Sequence, residues 1–316
     1  MKKLLLLSLF IMHIGNAQAN ELWQHEWPNT DFTKKNVDFN EIISGGPPKD
    51  GIPSIDNPIF KPVSKINNIG DKEPVISLNI KGEARAYPVS ILMYHEIVND
   101  IVGQEPVSIT YCPLCNASLT FKRTVDSKVL DFGTTGKLRK SDMVMYDRQT
   151  QSWWQQFSGE AIVGNLTGTK LKLVPSRIES FSLFKERHPK GKVLVPNDAN
   201  ARPYGNNPYT SYDSSKWPFL FTDEHNSDTP PLARVVAVGN NAWPLSLLKT
   251  KRQISFNGIL ISWQKGQNSA LDSSNIKKGR DIGNVIVTRD GQDIAYHVPF
   301  AFAFLAFNKD GIIHTK

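Results

Sequence analysis

Apolar residues in this chain alternate with polar ones in short runs that Gly, Pro, Asn, Asp and Ser repeatedly cut off. With 21 glycines and 20 prolines spread through 316 residues, long amphipathic helices are excluded and short strands are what the pattern supports. Val75-Ile76-Ser77-Leu78-Asn79-Ile80 is the clearest run, closed by Lys81-Gly82. Val107 to Tyr111, Ala117 to Arg123, Val129 to Phe132 and Met143 to Tyr146 follow it. Helical signals are few. One opens at Pro88, where proline suits the first turn, and another covers Ile178 to Arg187. The expected fold is mainly β with a few short helices, an α+β chain.

The first nineteen residues stand apart. Lys2 and Lys3 precede an apolar run from Leu4 to Ile14, too short to span a bilayer, and Ala17-Gln18-Ala19 supplies a small-x-small cleavage pattern. This predicts a signal peptide over residues 1–19 and a periplasmic or secreted protein with no later membrane span. Residues 20–73 form a Pro/Gly-rich arm, 74–196 a first β-rich unit, 197–231 a loop-rich connection and 232–316 a second unit. The formal charge of +7 comes with no basic run interleaved with aromatics, so nucleic acid is not an expected partner. A small molecule or an envelope protein is.

The division into two units rests on an internal match. Ala86-Tyr87-Pro88-Val89-Ser90-Ile91-Leu92 aligns with Ala242-Trp243-Pro244-Leu245-Ser246-Leu247-Leu248. Further on, Ile109 to Asn116 aligns with Ile261 to Asn268, in the same order and at nearly the same offset. Two related units, packed as one compact body, are therefore expected. In the second, Gln264 and Gln267 stand where the first has Cys112 and Cys115.

Those two are the only cysteines, which excludes a disulfide-dense scaffold, a four-cysteine zinc finger and an all-cysteine iron–sulfur cluster. Cys112-Pro113-Leu114-Cys115 has the spacing of a redox dithiol or of half a metal site. The residues after it alternate like a strand. A strand–turn–strand setting favours a metal knuckle over a thioredoxin-like helix start. A third ligand is then needed. His95 lies seventeen residues upstream, and the matching stretch Lys249-Thr250-Lys251-Arg252 has no histidine, so His95 and both cysteines are missing together from the second unit. Glu96 or Asp100 is expected to hold its tautomer. Two thiolates and an imidazole suit copper, slightly ahead of zinc. Met143 and Met145 are further weak donors, or simply core.

Four blocks carry a resemblance: SGGPPKDGIPSID (44–56), GEARAYPVSILMYHEIVND (82–100), YCPLCN (111–116) and SDMVMYDRQTQSWWQQ (141–156). Together they resemble a bacterial and archaeal family known only as a domain of unknown function, number thirty-one seventy-nine. The resemblance implies secreted or periplasmic proteins and no established reaction. It also marks a secondary set of site candidates: Lys49, Asp50 and Asp56 in the arm, and Asp142, Asp147, Arg148, Trp153 and Gln155 after the knuckle. Asp147-Arg148-Gln149-Thr150 also suits a turn in which Arg148 pairs with Asp147. If extended, Trp153 and Trp154 face opposite ways, one to the core and one to a ligand.

Phe132-Gly133-Thr134-Thr135-Gly136-Lys137 lacks both the leading glycine and the trailing Ser/Thr of a phosphate loop, since Asp131 and Leu138 stand there. Serine-hydrolase and zincin signatures are missing too. The expected function is a metal-binding protein, a metal-dependent oxidoreductase if catalytic, with Cys112, Cys115 and His95 as its site. The alternatives are a thiol–disulfide oxidoreductase using the same three residues, and a non-catalytic binding module with a structural disulfide.

Overall fold

A computed structural model describes residues 23–316; the expected signal peptide and cleavage site lie outside the described residues. The chain is 38% strand and 14% helix, folded into small sheets in a propeller-like arrangement that suggests five blades. The period-2 runs become strands close to their expected bounds: Pro74–Ile80, Glu105–Cys112, Ala117–Lys122 and Asp142–Asp147. Two expectations shift. The run at 129–132 splits between Lys128–Val129 and a long strand, Phe132–Arg139. The helix expected from Ile178 starts later, as Phe181–Arg187, because Arg177–Ser180 pairs with Pro74–Ile80 instead.

The sheets do not form two separate units. One hydrophobic cluster runs from Ile55 to Phe304 and takes in Ile109, Met143, Leu271 and Phe302, so both halves contribute to a shared core, while Trp243, Ile261, Trp263 and Val287 pack in a second cluster of their own. A topological order nevertheless recurs. Pro74–Ile80 and Glu83–Pro88 make a hairpin, the short helix Val89–Leu92 follows, and Ile97–Val102, Glu105–Cys112 and Ala117–Lys122 form an antiparallel sheet. The helix Phe181–Arg187 then leads to Lys192–Val195, parallel to Glu83–Pro88. Later, Val235–Val238 and Asn241–Pro244 make a hairpin, and the helix Leu245–Lys251 follows. Gln253–Phe256, Ile259–Gln264 and Asn284–Arg289 then pair antiparallel, before the helix Ala301–Phe307 leads to Ile312–Ile313, parallel to Asn241–Pro244. Pro88 and Pro244 both cap their helices with φ −59°.

The second passage departs at the place that matters. Cys112 pairs with Ala117 across a tight turn, whereas Gln264 pairs with Asn284 and residues 265–283 bulge out between them. Gln264 and Gln267 therefore share no knuckle.

Only the first passage carries an extra sheet, with Ile42–Ser44 from the arm beside Phe132–Arg139, then Asp142–Asp147, Trp153–Gln155 and Glu160–Val163. Trp153 and Trp154 do face opposite ways, but neither is free for a ligand. Both are fully buried, Trp153 against Trp27 at 5.4 Å and Trp154 against Phe132 at 5.6 Å. No helix among the described residues is long and apolar enough to cross a membrane.

One buried histidine makes stability depend on acid. His297 packs on Phe157 with ring centroids 4.7 Å apart, its Nδ1 has no partner, and burial pushes its pKa down to about 4. An unfolded histidine takes up its proton near pH 6.5. The folded state is thus at full advantage above that pH and loses up to about 3 kcal/mol as the pH falls toward 4. Thermal melts of wild type and His297→Phe between pH 7 and 4 should show this component of the acid loss in the wild type alone.

Candidate metal centre

The knuckle is held from several sides. The turn closes with Asn116 N–H donating to Pro113 O at 3.2 Å, and Asn116 takes φ +50°, a left-handed conformation asparagine tolerates. Asn116 Nδ2 donates to Val298 O at 2.7 Å, Tyr212 Oη to Leu114 O at 2.9 Å, and Phe300 N–H to Cys115 O at 2.9 Å. Strands and loops from the far end of the chain thus clamp the turn on which both thiols sit.

The thiols are free and almost completely buried. Facing them is the two-residue turn between Phe132–Arg139 and Asp142–Asp147. Lys140 and Ser141 both have positive φ, 53° and 63°, as a primed hairpin turn requires, although neither is Gly or Asn. That turn directs Ser141 O at the sulfurs, 3.3 Å from Cys115 Sγ, and puts Asp142 beside them. Ligand atoms of Cys112, Cys115 and Asp142 all lie within 4.8 Å of one another.

Asp142 is positioned on one side only. Its Oδ2 accepts from Gln155 Nε2 at 2.7 Å and from Phe157 N–H at 2.9 Å, while Oδ1 is buried with no partner. Burial pushes the Asp142 carboxyl up to about 6 and raises both thiols, Cys115 well above its ordinary value. Nearby Glu96 is pushed up to about 8, by burial and then by the charge of Asp142. Four acidic groups are thus gathered out of water, and the charge of Asp142 further disfavours ionisation of both thiols and of Glu96, an arrangement that a bound cation would reverse.

Gln155, one of the secondary candidates, orients Asp142 rather than acting alone. Gln155→Leu should weaken metal binding by about 10–100-fold, the usual effect of losing a group that holds a ligand in place, while leaving the fold intact. Competition against a chromophoric chelator measures it.

His95 is not part of this group. Its Nδ1 lies 2.8 Å from Pro53 O, which can only accept, so Nδ1 carries the proton; Nε2 then accepts from Tyr204 Oη at 2.8 Å. The ring stacks on Tyr204, 5.8 Å between centroids. Both nitrogens are committed to fastening the arm and the 197–231 connection. Its neighbour Glu96 has φ +57°, a reversal in the backbone where the chain enters the strand Ile97–Val102. Neither Glu96 nor Asp100 sets the histidine tautomer. Asp100 is taken by Arg85 at 2.5 Å and Tyr87 Oη at 2.5 Å.

The remaining candidates tie the arm down. Asp50 accepts from Tyr146 Oη at 2.5 Å and Arg148 Nη1 at 3.0 Å, and Arg148 reaches Asp56 at 3.3 Å. Arg148 therefore pairs with the arm and not with Asp147. Asp147 closes its own turn through Thr150 N–H at 2.6 Å and accepts from Trp154 Nε1 at 2.9 Å. The Lys49 ammonium sits 4.0 Å above the Trp27 ring. Met145 is core, and Met143 lies beside Cys112 on the wall of a cavity.

Fold and site together define a β-rich protein with a buried group of two thiols and a carboxylate that could hold a metal ion. The chain belongs to the family described as protein of unknown function DUF3179, whose profile matches residues 49–311. No curated protein and no solved structure shows a significant match to it.

Proposed function

We propose that this protein is an extracytoplasmic metal-binding protein whose metal is held by Cys112, Cys115 and Asp142. The unpartnered, fully buried Asp142 Oδ1 beside two thiols carries the reading, because an orphaned carboxylate oxygen costs free energy that coordination would recover. Replacing the expected imidazole by a carboxylate also changes the metal. Two soft thiolates and a harder oxygen favour zinc, with copper second.

Thiol–disulfide exchange is less well supported. A nucleophilic cysteine needs an exposed, electropositive setting, and these thiols are buried, raised in pKa and faced by acids. The recurring hairpin–helix–sheet order supports a degenerate duplication in which only the first copy carries a knuckle. Placement outside the cytoplasm rests on the N-terminal sequence.

Metal analysis of the protein as purified tests the reading, with thiol titration on the same sample. One equivalent of metal in the wild type, lost in Asp142→Ala, supports it. A metal-free wild type whose cysteines react only after unfolding and reduction would sink it in favour of a structural disulfide.

A further inference from the structure

Beside the two thiols lies a cavity of about 80 Å³. Cys112 and Met143 form its inner wall, Glu96 and Tyr209 line it too, and Pro47 and Ile52 of the arm contribute to its lining. A site of this kind needs only about 10–15 Å³ to hold one water, so the space suits several waters or a small ligand.

Glu96 is the unusual group on that wall. It is only 8% exposed, and among the described residues its carboxyl has neither a hydrogen bond nor an ion pair. Lys137 also lines the cavity, but its ammonium is held by Glu26 at 2.8 Å, so it does not neutralise Glu96. The same cavity thus brings together a thiol ligand, an unpartnered carboxyl and a closing segment of the arm. Protein donors account for three positions around a metal that takes four.

We propose that this cavity is the exogenous-ligand chamber of the metal centre, admitting water or another small polar donor to the fourth position, with Glu96 as its hydrogen-bonding partner. The inference rests on the metal reading above and extends it, since an exchangeable fourth ligand separates a reactive centre from a closed structural one. A substrate entering here would be a small molecule whose donor atom meets the metal while a second polar atom hydrogen-bonds to Glu96.

Cobalt(II) loaded into the full chain is the test, with azide as the probe. Thiolate-to-cobalt charge transfer in the wild type reports the metal centre itself, and its absence would take the metal reading down together with this one. Given that band, azide should perturb the visible cobalt bands weakly in the wild type. In Glu96→Gln, which keeps the size of the wall and changes the group facing the donor, azide should still perturb the bands but with an altered affinity. Ile52→Trp, which fills the cavity from the arm, should keep the charge-transfer band and lose the response to azide. Visible bands indifferent to azide in both wild type and Glu96→Gln would overturn the chamber while leaving the metal reading standing. Loss of cobalt in Glu96→Gln would overturn it too, making Glu96 a ligand of a closed site.

Discussion

Cys112→Ser should lower the metal content from one equivalent to none and abolish the metal-dependent part of the melting temperature. A ligand that binds only the folded state stabilises it by about 4 kcal/mol when present at a thousand times its dissociation constant. The wild type should show that gain on adding zinc and lose it to a chelator; the variant should respond to neither. The effect is large because the apo site is unfavourable by itself. Burial raises both thiols and Asp142, and the charge of Asp142 raises the thiols further. Calorimetry of apo and zinc-loaded protein measures the difference directly, and an equal zinc response in wild type and variant would show that the metal sits elsewhere.

Asp213→Ala should destabilise the protein by about 3–5 kcal/mol, the cost of leaving a buried charge without its partner. Asp213 is fully buried at the short 3₁₀ turn Tyr212–Ser214 and accepts from Arg234 at 2.7 Å, Arg280 at 2.8 Å and Ser269 Oγ at 2.5 Å. Arg234 is itself nearly inaccessible, so its guanidinium would be stranded. The same turn carries Tyr212, whose hydroxyl donates to Leu114 O in the knuckle. The loss should therefore appear twice, as a lower denaturant midpoint and as weaker metal binding. A midpoint shift without any change in metal affinity would uncouple the 197–231 connection from the site.

Local pattern carried much of the architecture. Alternation over Val75–Ile80, Val107–Tyr111 and Met143–Tyr146 located strands well, because period 2 with β-branched and aromatic residues is the direct imprint of a pleated chain. It failed at Arg177–Ser180, where pairing with Pro74–Ile80 overrode the helical pattern. It failed again at Gln264, whose alignment with Cys112 concealed a turn in one passage and a long excursion in the other. The internal match marks a recurring order of hairpin, helix and sheet within one compact body, as expected, but the sheets do not separate into the two units it suggested.

The site divides the same way. The spacing Cys112-Pro113-Leu114-Cys115 between two alternating runs was enough to expect a knuckle, since turn and ligands lie within one short segment. Asp142 came only as one name among eight secondary candidates, and His95 stood in its place. What separates them is a backbone detail. His95 is drawn to Pro53 and Tyr204, Glu96 next to it lines the cavity at Cys112, and a primed turn at Lys140-Ser141 delivers Asp142 to the sulfurs.

By itself the sequence determined a β-rich chain, the cysteine turn and membership of its family. Only the tertiary structure decided which group stands beside the thiols, the hydrogen bonds of His95 and the cavity next to Cys112. Periodicity records which face of its own strand a residue takes, whereas burial and charge arise between elements far apart in the chain, and those alone bring an unpartnered carboxylate to two thiols.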